Sequence, residues 1–362
     1  MSKVLKIFTV TGARPQFIKA AAVSAAVARH GDGVKELLVH TGQHFDFNMS
    51  QVFFQQMGIP EPAFWLDIHS QPHGAMTGRM LEGLEKLMVQ QAPDVVLVYG
   101  DTNSTLAGAL AARKLNIPVA HVEAGLRSFD LSMPEEVNRI VTDRISTLLF
   151  CPTQQAAQNL LAEGFRHYPC SITITGDVML DALLRFTPKA RKPQSDIPEK
   201  FVLATLHRQS NTDLPDNLIS IMEAISEIAN EVPVLMPLHP RTQHALKRNG
   251  IATENRNFVI TEPVGYLESL WLLQHAATVL TDSGGLQKEA YFLGKTCVTL
   301  RNETEWQELV QTGYNIPSGA VKNNILTAFD TLYDKTFEPD LSMYGNGKAS
   351  ETIVNQLMSM SE

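Results

Sequence analysis

The feature that most constrains this chain is a repeated alternation. Short, uninterrupted runs of β-branched and aliphatic residues are separated by longer amphipathic runs. Asp94-Val-Val-Leu-Val-Tyr is the clearest short run; others are Leu5–Val10, Glu36–His40, Val119–Glu123, Leu148–Cys151 and Ile172–Thr175. A strand that is apolar on both faces belongs to a parallel sheet covered on both sides. The intervening helical patterns at Ile18–Arg29, Met49–Met57, Met76–Gln91, Ser104–Leu115, Glu135–Ser146 and Gln154–Glu163 supply the cover. The pattern therefore predicts a doubly wound, Rossmann-like α/β domain.

After Phe186–Lys200, rich in Pro, Lys and Arg, the alternation restarts. Strands are predicted at Phe201–Thr205, Val232–Leu238, Phe258–Thr261, Thr278–Thr281 and Cys297–Leu300, and helices at Leu214–Ala229, Leu267–Gln274 and Leu286–Leu293. A last helix is expected at Lys348–Ser361. With 362 residues, two domains are the natural division. The expected boundaries are 1–177 with the C-terminal helix 347–362 for the first domain, and 178–346 for the second. Two facing halves of this kind imply a ligand cleft between them.

Composition excludes several function classes. A net charge of −8 argues against nucleic acid as partner. No apolar run approaches the length of a membrane span, so no membrane partner is expected. Cys151, Cys170 and Cys297 lie in or beside apolar runs without metal-like spacing, which reads as reduced thiols in a cytoplasmic protein. No His pattern suits a metal, so no metal site is expected.

Candidate functional residues cluster where predicted strands end, the usual ligand-binding edge of such sheets. Thr11-Gly12-Ala13-Arg14-Pro15-Gln16-Phe17-Ile18-Lys19 follows the first strand and carries two cations, Arg14 and Lys19. Gly100-Asp101-Thr102 follows another. The stretch His121–Arg139 carries Glu123, Arg127, Asp130, Glu135 and Arg139. In the second half, His207-Arg208 and His239 follow strands. Thr281-Asp282-Ser283-Gly284-Gly285-Leu286-Gln287-Lys288-Glu289 joins a strand to a helix, where glycine N–H groups and the helix N-terminus suit a diphosphate. Glu289, one turn further, suits hydroxyl groups such as those of a ribose. Neither Gly-x-Gly-x-x-Gly nor Gly-x-Ser-x-Gly occurs, which argues against a dinucleotide fingerprint and a Ser-His-Asp hydrolase. The residues describe a nucleotide-diphosphate site facing an acid-rich pocket, where carboxylates could act as acid and base on a sugar.

Six ordered motifs (Gly-Ala-Arg-Pro-Gln-Phe-Ile-Lys, Tyr-Gly-Asp-Thr-Asn-Ser-Thr, His-Val-Glu-Ala-Gly-Leu-Arg-Ser, Met-Pro-Glu-Glu-Val-Asn-Arg, Thr-Leu-His-Arg and Thr-Asp-Ser-Gly-Gly-Leu-Gln-Lys-Glu) resemble the bacterial non-hydrolysing UDP-N-acetylglucosamine 2-epimerase family over nearly the whole chain. The resemblance implies the GT-B architecture, two Rossmann-like domains with the active site between them. It implies inversion at C2 of a UDP-2-acetamido sugar by elimination and re-addition of UDP, with no cofactor. Asp101, Glu123 and Glu135 match the family's catalytic acids and His207 its catalytic or diphosphate-contacting histidine. Arg14, Lys19, Arg139, Ser283, Gly284, Gly285 and Glu289 match its UDP-site positions; Arg208 and His239 join them as expected UDP contacts. The resemblance also suggests a homodimer.

Three departures bear on the substrate. Gln16-Phe17 stands where many members have Glu-Ala, Trp306-Gln307 where many have Arg-Pro, and Asp46 where some have a second Gln of an allosteric site. These variants resemble the branch acting on UDP-2,3-diacetamido-2,3-dideoxy-D-glucuronate for surface polysaccharide or O-antigen. UDP-N-acetylglucosamine itself is the alternative, and a hydrolysing epimerase or a GT-B glycosyltransferase is a further one.

Overall fold

The computed structural model describes residues 4–43, 54, 57–251 and 258–361. The helix expected at Met49–Met57 and the position of Asp46 fall largely or wholly outside them. Among the described residues the chain divides into two compact units, Met1–Arg185 with Leu341–Glu362, and Phe186–Asp340.

The first unit is a seven-stranded sheet: β1 Leu5–Thr11, β2 Val34–His40, β3 Phe64–Trp65, β4 Val95–Tyr99, β5 Val119–Val122, β6 Leu148–Cys151 and β7 Ser171–Ile174. Their order is β3-β2-β1-β4-β5-β6-β7, and each pairing is parallel. Its helices are α1 Arg14–Ala28, α2 His73–Gln91, α3 Asn103–Lys114, α4 Pro134–Ile145, α5 Gln154–Ala162 and α6 Val178–Phe186. The uninterrupted apolar strands behave as their composition requires, because alternate residues leave opposite faces. Leu5, Ile7, Val95, Leu97 and Tyr99 enter one core with Ala20, Val23 and Val27 of α1. Phe8, Val10, Val96 and Val98 enter the other with Met80, Leu84 and Met88 of α2.

The second unit repeats the scheme. Its strands are β8 Val202–Thr205, β9 Val234–Pro237, β10 Phe258–Thr261, β11 Thr278–Thr281, β12 Cys297–Thr299 and β13 Asn315–Pro317. They are ordered β10-β9-β8-β11-β12-β13, again parallel. The helices are α7 Gln209–Thr212, α8 Pro215–Glu231, α9 Pro240–Arg248, α10 Tyr266–His275, α11 Gly284–Phe292, α12 Gln307–Gln311 and α13 Lys322–Leu332. The last helix, α14 Ala349–Met358, returns to the first unit, where Ile353, Val354 and Leu357 pack in the α1 core.

The expected boundaries at 177/178 and 346/347 need correction on both sides. α6 stays with the first unit up to Arg185, because Val178 is buried in its core and Asp181 accepts the backbone N–H groups of Ala349 and Ser350, at 3.2 and 2.8 Å. Residues 341–346 belong there too: Asp177 donates its N–H to the Tyr344 carbonyl at 3.0 Å. Gly176 and Gly345 allow this contact. Both have left-handed φ (+88° and +83°), and a Cβ on either would collide with the other's strand of backbone.

Both sheets contain a topological switch, where successive connections leave in opposite directions. It lies between β1 and β4 in the first and between β8 and β11 in the second. Ligands of open parallel sheets bind outside the carboxyl ends of strands at that point.

Candidate functional site

In the first unit the switch is flanked by α1, which follows β1 after a two-residue turn and carries Arg14 and Lys19, and by the turn after β4, carrying Asp101. Lys19, on the buried face of α1, forms an ion pair with Glu123, which follows β5. Glu123 is a non-glycine residue with φ +75°, a conformation that costs on the order of 1–3 kcal/mol and persists only when its surroundings impose it. They do: the N–H groups of Glu123 and Ala124 both donate to the Phe150 carbonyl, at 3.1 and 3.0 Å. Arg14 is half-buried at the start of α1.

α4 organises the rest. Met133 precedes it with no side-chain cap, Pro134 fixes its first turn, and Glu135 and Glu136 complement the helix N-terminus. Positions 135, 138, 139, 142 and 143 form one stripe at helical spacing. Asn138 donates to the backbone carbonyl of Asp101 at 2.9 Å. Arg139 pairs with the Asp101 carboxylate and, at 2.7 Å, with Glu136. Glu136 is committed to structure, since it also accepts from Ser128 N–H and Oγ and from Phe129 N–H. Glu135 is half-buried and has no hydrogen-bond or ion-pair partner among the described residues. The structure thus brings Lys19, Asp101, Glu123 and Arg139 into ion-paired groups at one sheet edge, with Glu135 on the helix that holds Asp101.

Two members of the His121–Arg139 stretch face elsewhere. Arg127 is buried, donating to Asp143 at 2.7 Å and in a fork to Glu163 at 2.6 and 2.8 Å. Asp130 accepts from the N–H and hydroxyl of Ser132 and shapes a turn. Charge in a loop signals both kinds of residue equally, and only their partners distinguish them.

In the second unit, His207 and Arg208 follow β8. Their backbone N–H groups are held by Asp282 at 3.1 and 2.9 Å, and His207 Nδ1 lies 3.2 Å from the same carboxylate. Burial alone would raise the Asp282 pKa; hydrogen bonds from His207, its charge, Arg208 N–H and Asn211 outweigh this and hold it below the usual carboxylate range. The sequence reading passed over Asp282, although it lies inside the Gly-rich motif. His239 caps α9, its Nδ1 accepting from Arg241 N–H at 3.2 Å, and its ring lies 6.3 Å from that of His207.

Ser283 caps α11, its Oγ accepting from Leu286 N–H at 3.4 Å, which leaves the hydroxyl proton for another acceptor. α11 begins at Gly284, earlier than the Leu286 expected, so the N–H groups of Gly284 and Gly285 lie in its first turn, where no intrahelical acceptor exists. A Cβ on Gly284 would stand 3.6 Å from Glu305 Oε2 and Trp306 Nε1 and 3.8 Å from Arg208 Nη2. Glu305 is itself gripped by Arg301 at 3.0 and 3.2 Å. Ser283, Gly284, Gly285, Arg208, Trp306 and the unforeseen Glu305 therefore meet at one helix end. Glu289 is nearly buried and accepts from the Tyr266 hydroxyl at 2.9 Å.

Of the sequence departures, Gln16 has a packing explanation. Its carbonyl accepts from Gly12 and Ala13 N–H at 2.8 and 3.0 Å, and its amide donates to the Tyr99 carbonyl and Thr105 Oγ1 at 2.9 and 3.0 Å. Phe17 stacks on His40. Both residues lie in the interior. Gln43 accepts from the Ser104 N–H and hydroxyl at 3.1 and 2.7 Å. Among the described residues no group of His, Cys, Asp and Glu is arranged to hold a metal, and no helix is long and apolar enough to cross a membrane.

A family model described as UDP-N-acetylglucosamine 2-epimerase matches residues 26–358. The chain is 53% identical over 355 residues to the UDP-2,3-diacetamido-2,3-dideoxy-D-glucuronate 2-epimerase of Pseudomonas aeruginosa, covering 98% of this chain and 99% of that protein. Among solved structures, that of UDP-GlcNAc 2-epimerase from Methanocaldococcus jannaschii in complex with UDP-GlcNAc and UDP superposes with TM-score 0.91 at 41% identity, covering 99% of this chain and 100% of the other. The UDP-GlcNAc 2-epimerase from Neisseria meningitidis bound to UDP-GlcNAc gives TM-score 0.87 at 29% identity, with 98% and 100% covered. The fold class is accordingly GT-B, two Rossmann-like parallel-sheet domains.

Proposed function

The chain belongs to the UDP-N-acetylglucosamine 2-epimerase family, and on that premise we propose that it is an isomerase inverting C2 of a UDP-linked 2-acetamido sugar without net hydrolysis. The C2 hydrogen is not acidic enough for simple exchange. A carboxylate takes it while the C1–O bond to UDP breaks, giving a 2-acetamidoglucal and UDP. A proton then returns to the opposite face of C2 as a UDP oxygen adds back to C1. Atoms balance and no redox cofactor is required.

The observation carrying this reading is the acid cluster at the first sheet's switch. Two faces of one carbon need two proton-handling groups. Asp101, Glu123 and Glu135 supply three carboxylates, two of them ion-paired and one without an ion pair among the described residues. The second domain provides the complementary binding chemistry: Arg208, Ser283 and the N–H groups of Gly284 and Gly285 for the diphosphate, with His207 and His239 beside them to stabilise the departing UDP. Arg14, Lys19, Arg139 and Glu289 complete the proposed contacts, although the Tyr266 hydroxyl already occupies one oxygen of Glu289.

The 53% identity to the Pseudomonas aeruginosa protein supports UDP-2,3-diacetamido-2,3-dideoxy-D-glucuronate as the substrate. A role in cytoplasmic synthesis of surface polysaccharide or O-antigen, by a homodimer, extends this proposal from the family resemblance. UDP-N-acetylglucosamine is the second reading, favoured by the UDP-GlcNAc bound in the Methanocaldococcus jannaschii structure. Turnover of the two sugars side by side decides. The first reading expects faster conversion of the diacetamido-glucuronate to its manno epimer. A higher kcat/KM for UDP-N-acetylglucosamine contradicts that substrate, and accumulating free UDP with a reducing sugar contradicts the non-hydrolysing reaction.

A further inference from the structure

The stripe of α4 that carries Glu135 and Arg139 ends in Asp143, which is fully buried. Its Oδ1 lies 2.7 Å from Nδ1 of His121, and its Oδ2 accepts from Arg127 Nη1 at 2.7 Å and from Gly125 N–H at 3.1 Å. On the other side of the equally buried His121 ring, Nε2 lies 2.7 Å from the Gly100 carbonyl. A carbonyl oxygen only accepts, so Nε2 carries a proton. Asp143 receives three donors when Nδ1 carries one too. Burial by itself would push the Asp143 carboxyl up, but His121 and Arg127 outweigh this and hold it below the usual range. Glu163 accepts from Nε and Nη2 of Arg127, and the Leu126 carbonyl accepts a second bond from Nη1. Two cations and two carboxylates then balance, the condition under which buried charge is tolerated.

The backbone groups that this network holds adjoin both ion-paired acids. The Gly100 carbonyl belongs to the peptide leading into Asp101. Gly125 and Arg127 lie in the turn that begins with the strained Glu123. We propose that His121 is a positioning residue: its ring, protonated on both nitrogens and clamped between Asp143 and the Gly100 carbonyl, sets the Asp101 and Glu123 turns in register for proton transfer. The catalytic part of this proposal rests on the reading of those acids given above.

Two measurements on the full chain test it. Long-range proton–nitrogen spectra of protein labelled at histidine, at neutral pH, should show both ring nitrogens of His121 protonated, the signals being assigned by their loss in His121→Phe. A bare ring nitrogen overturns the clamp. His121→Gln and Asp143→Asn should lower kcat about 100-fold, the scale of a small misplacement of reacting groups. Their KM and their affinity for UDP should stay within about threefold. A folded His121→Gln protein with unchanged kcat overturns the positioning role. If the variants fail to fold, the His121 signals of the unaltered protein, assigned instead by their through-bond connection to the backbone, still decide the clamp. Failure of the unaltered protein to exchange the C2 proton of any UDP-2-acetamido sugar overturns the functional reading and the catalytic part with it, whereas the ring protonation stands or falls separately.

Discussion

The two domains share a sheet topology but build their switch-point sites from different material. The first uses side chains: Lys19, Asp101, Glu123 and Arg139, paired across four segments and backed by a buried ionic network. The second uses largely backbone, with glycine N–H groups at a helix end and a loop whose own N–H groups are fixed by Asp282. Side-chain carboxylates can exchange protons with a substrate, whereas backbone N–H groups can only hold an anion. Under the proposed function, this difference corresponds to chemistry in the first domain and UDP binding in the second.

The largest effects should come from changing the proposed proton-handling groups. Asp101→Asn, Glu123→Gln and Glu135→Gln should each slow epimerisation about 10²–10⁴-fold. UDP affinity should change less than about tenfold, roughly 1.4 kcal/mol. Steady-state kinetics with calorimetric UDP titration checks both numbers, and near-normal turnover in all three breaks the division. Next comes Asp143→Ala, which leaves His121 and Arg127 buried with an anion missing. It should cost about 3–5 kcal/mol of stability, read by denaturant unfolding. Asp282→Ala in the second domain leaves two N–H groups and Asn211 without their acceptor. It should cost about 1–3 kcal/mol and weaken UDP binding more than it lowers kcat. Smaller again is Ser283→Ala, about 1 kcal/mol for the lost cap, seen chiefly as weaker UDP binding.

The smallest and broadest effect concerns acid. Asp143 and Asp282, one in each domain, have folded pKa values below the ordinary carboxylate value of about 3.9. The folded state therefore binds fewer protons than the unfolded state between those values. Their contribution is fully present above pH ~3.9 and is lost as pH falls through the folded pKa. Thermal melts of Asp282→Asn should be less sensitive to acid than those of the unaltered protein, and an unchanged slope would break this account of the second domain.

Long apolar strands and their covering helices were legible in the sequence, because burial on both faces leaves few polar residues in the run. So were the motifs at the carboxyl ends, which topology alone brings to one edge. Short elements were not legible: β3 and β13 have two and three residues, too few for any period. Nor were the partners. His121 and Asp143 stand 22 positions apart and meet only because α4 packs back on β5. The same blindness made Arg127 look like a pocket residue and hid what Gln16 holds. In the structure the first anchors a turn and the second clasps the β1 and β4 ends together. Asp282 was hidden for another reason, since a carboxylate that caps backbone N–H groups looks like any loop acid.

The division of labour is tested most directly by C2 proton exchange of a UDP-2-acetamido sugar in deuterated water, followed by NMR in Glu135→Gln and Ser283→Ala proteins saturated with that sugar. The account predicts that exchange falls by at least about 100-fold in Glu135→Gln. It predicts near-normal exchange in saturated Ser283→Ala. Equal loss in the two proteins, or full exchange in Glu135→Gln, would contradict it.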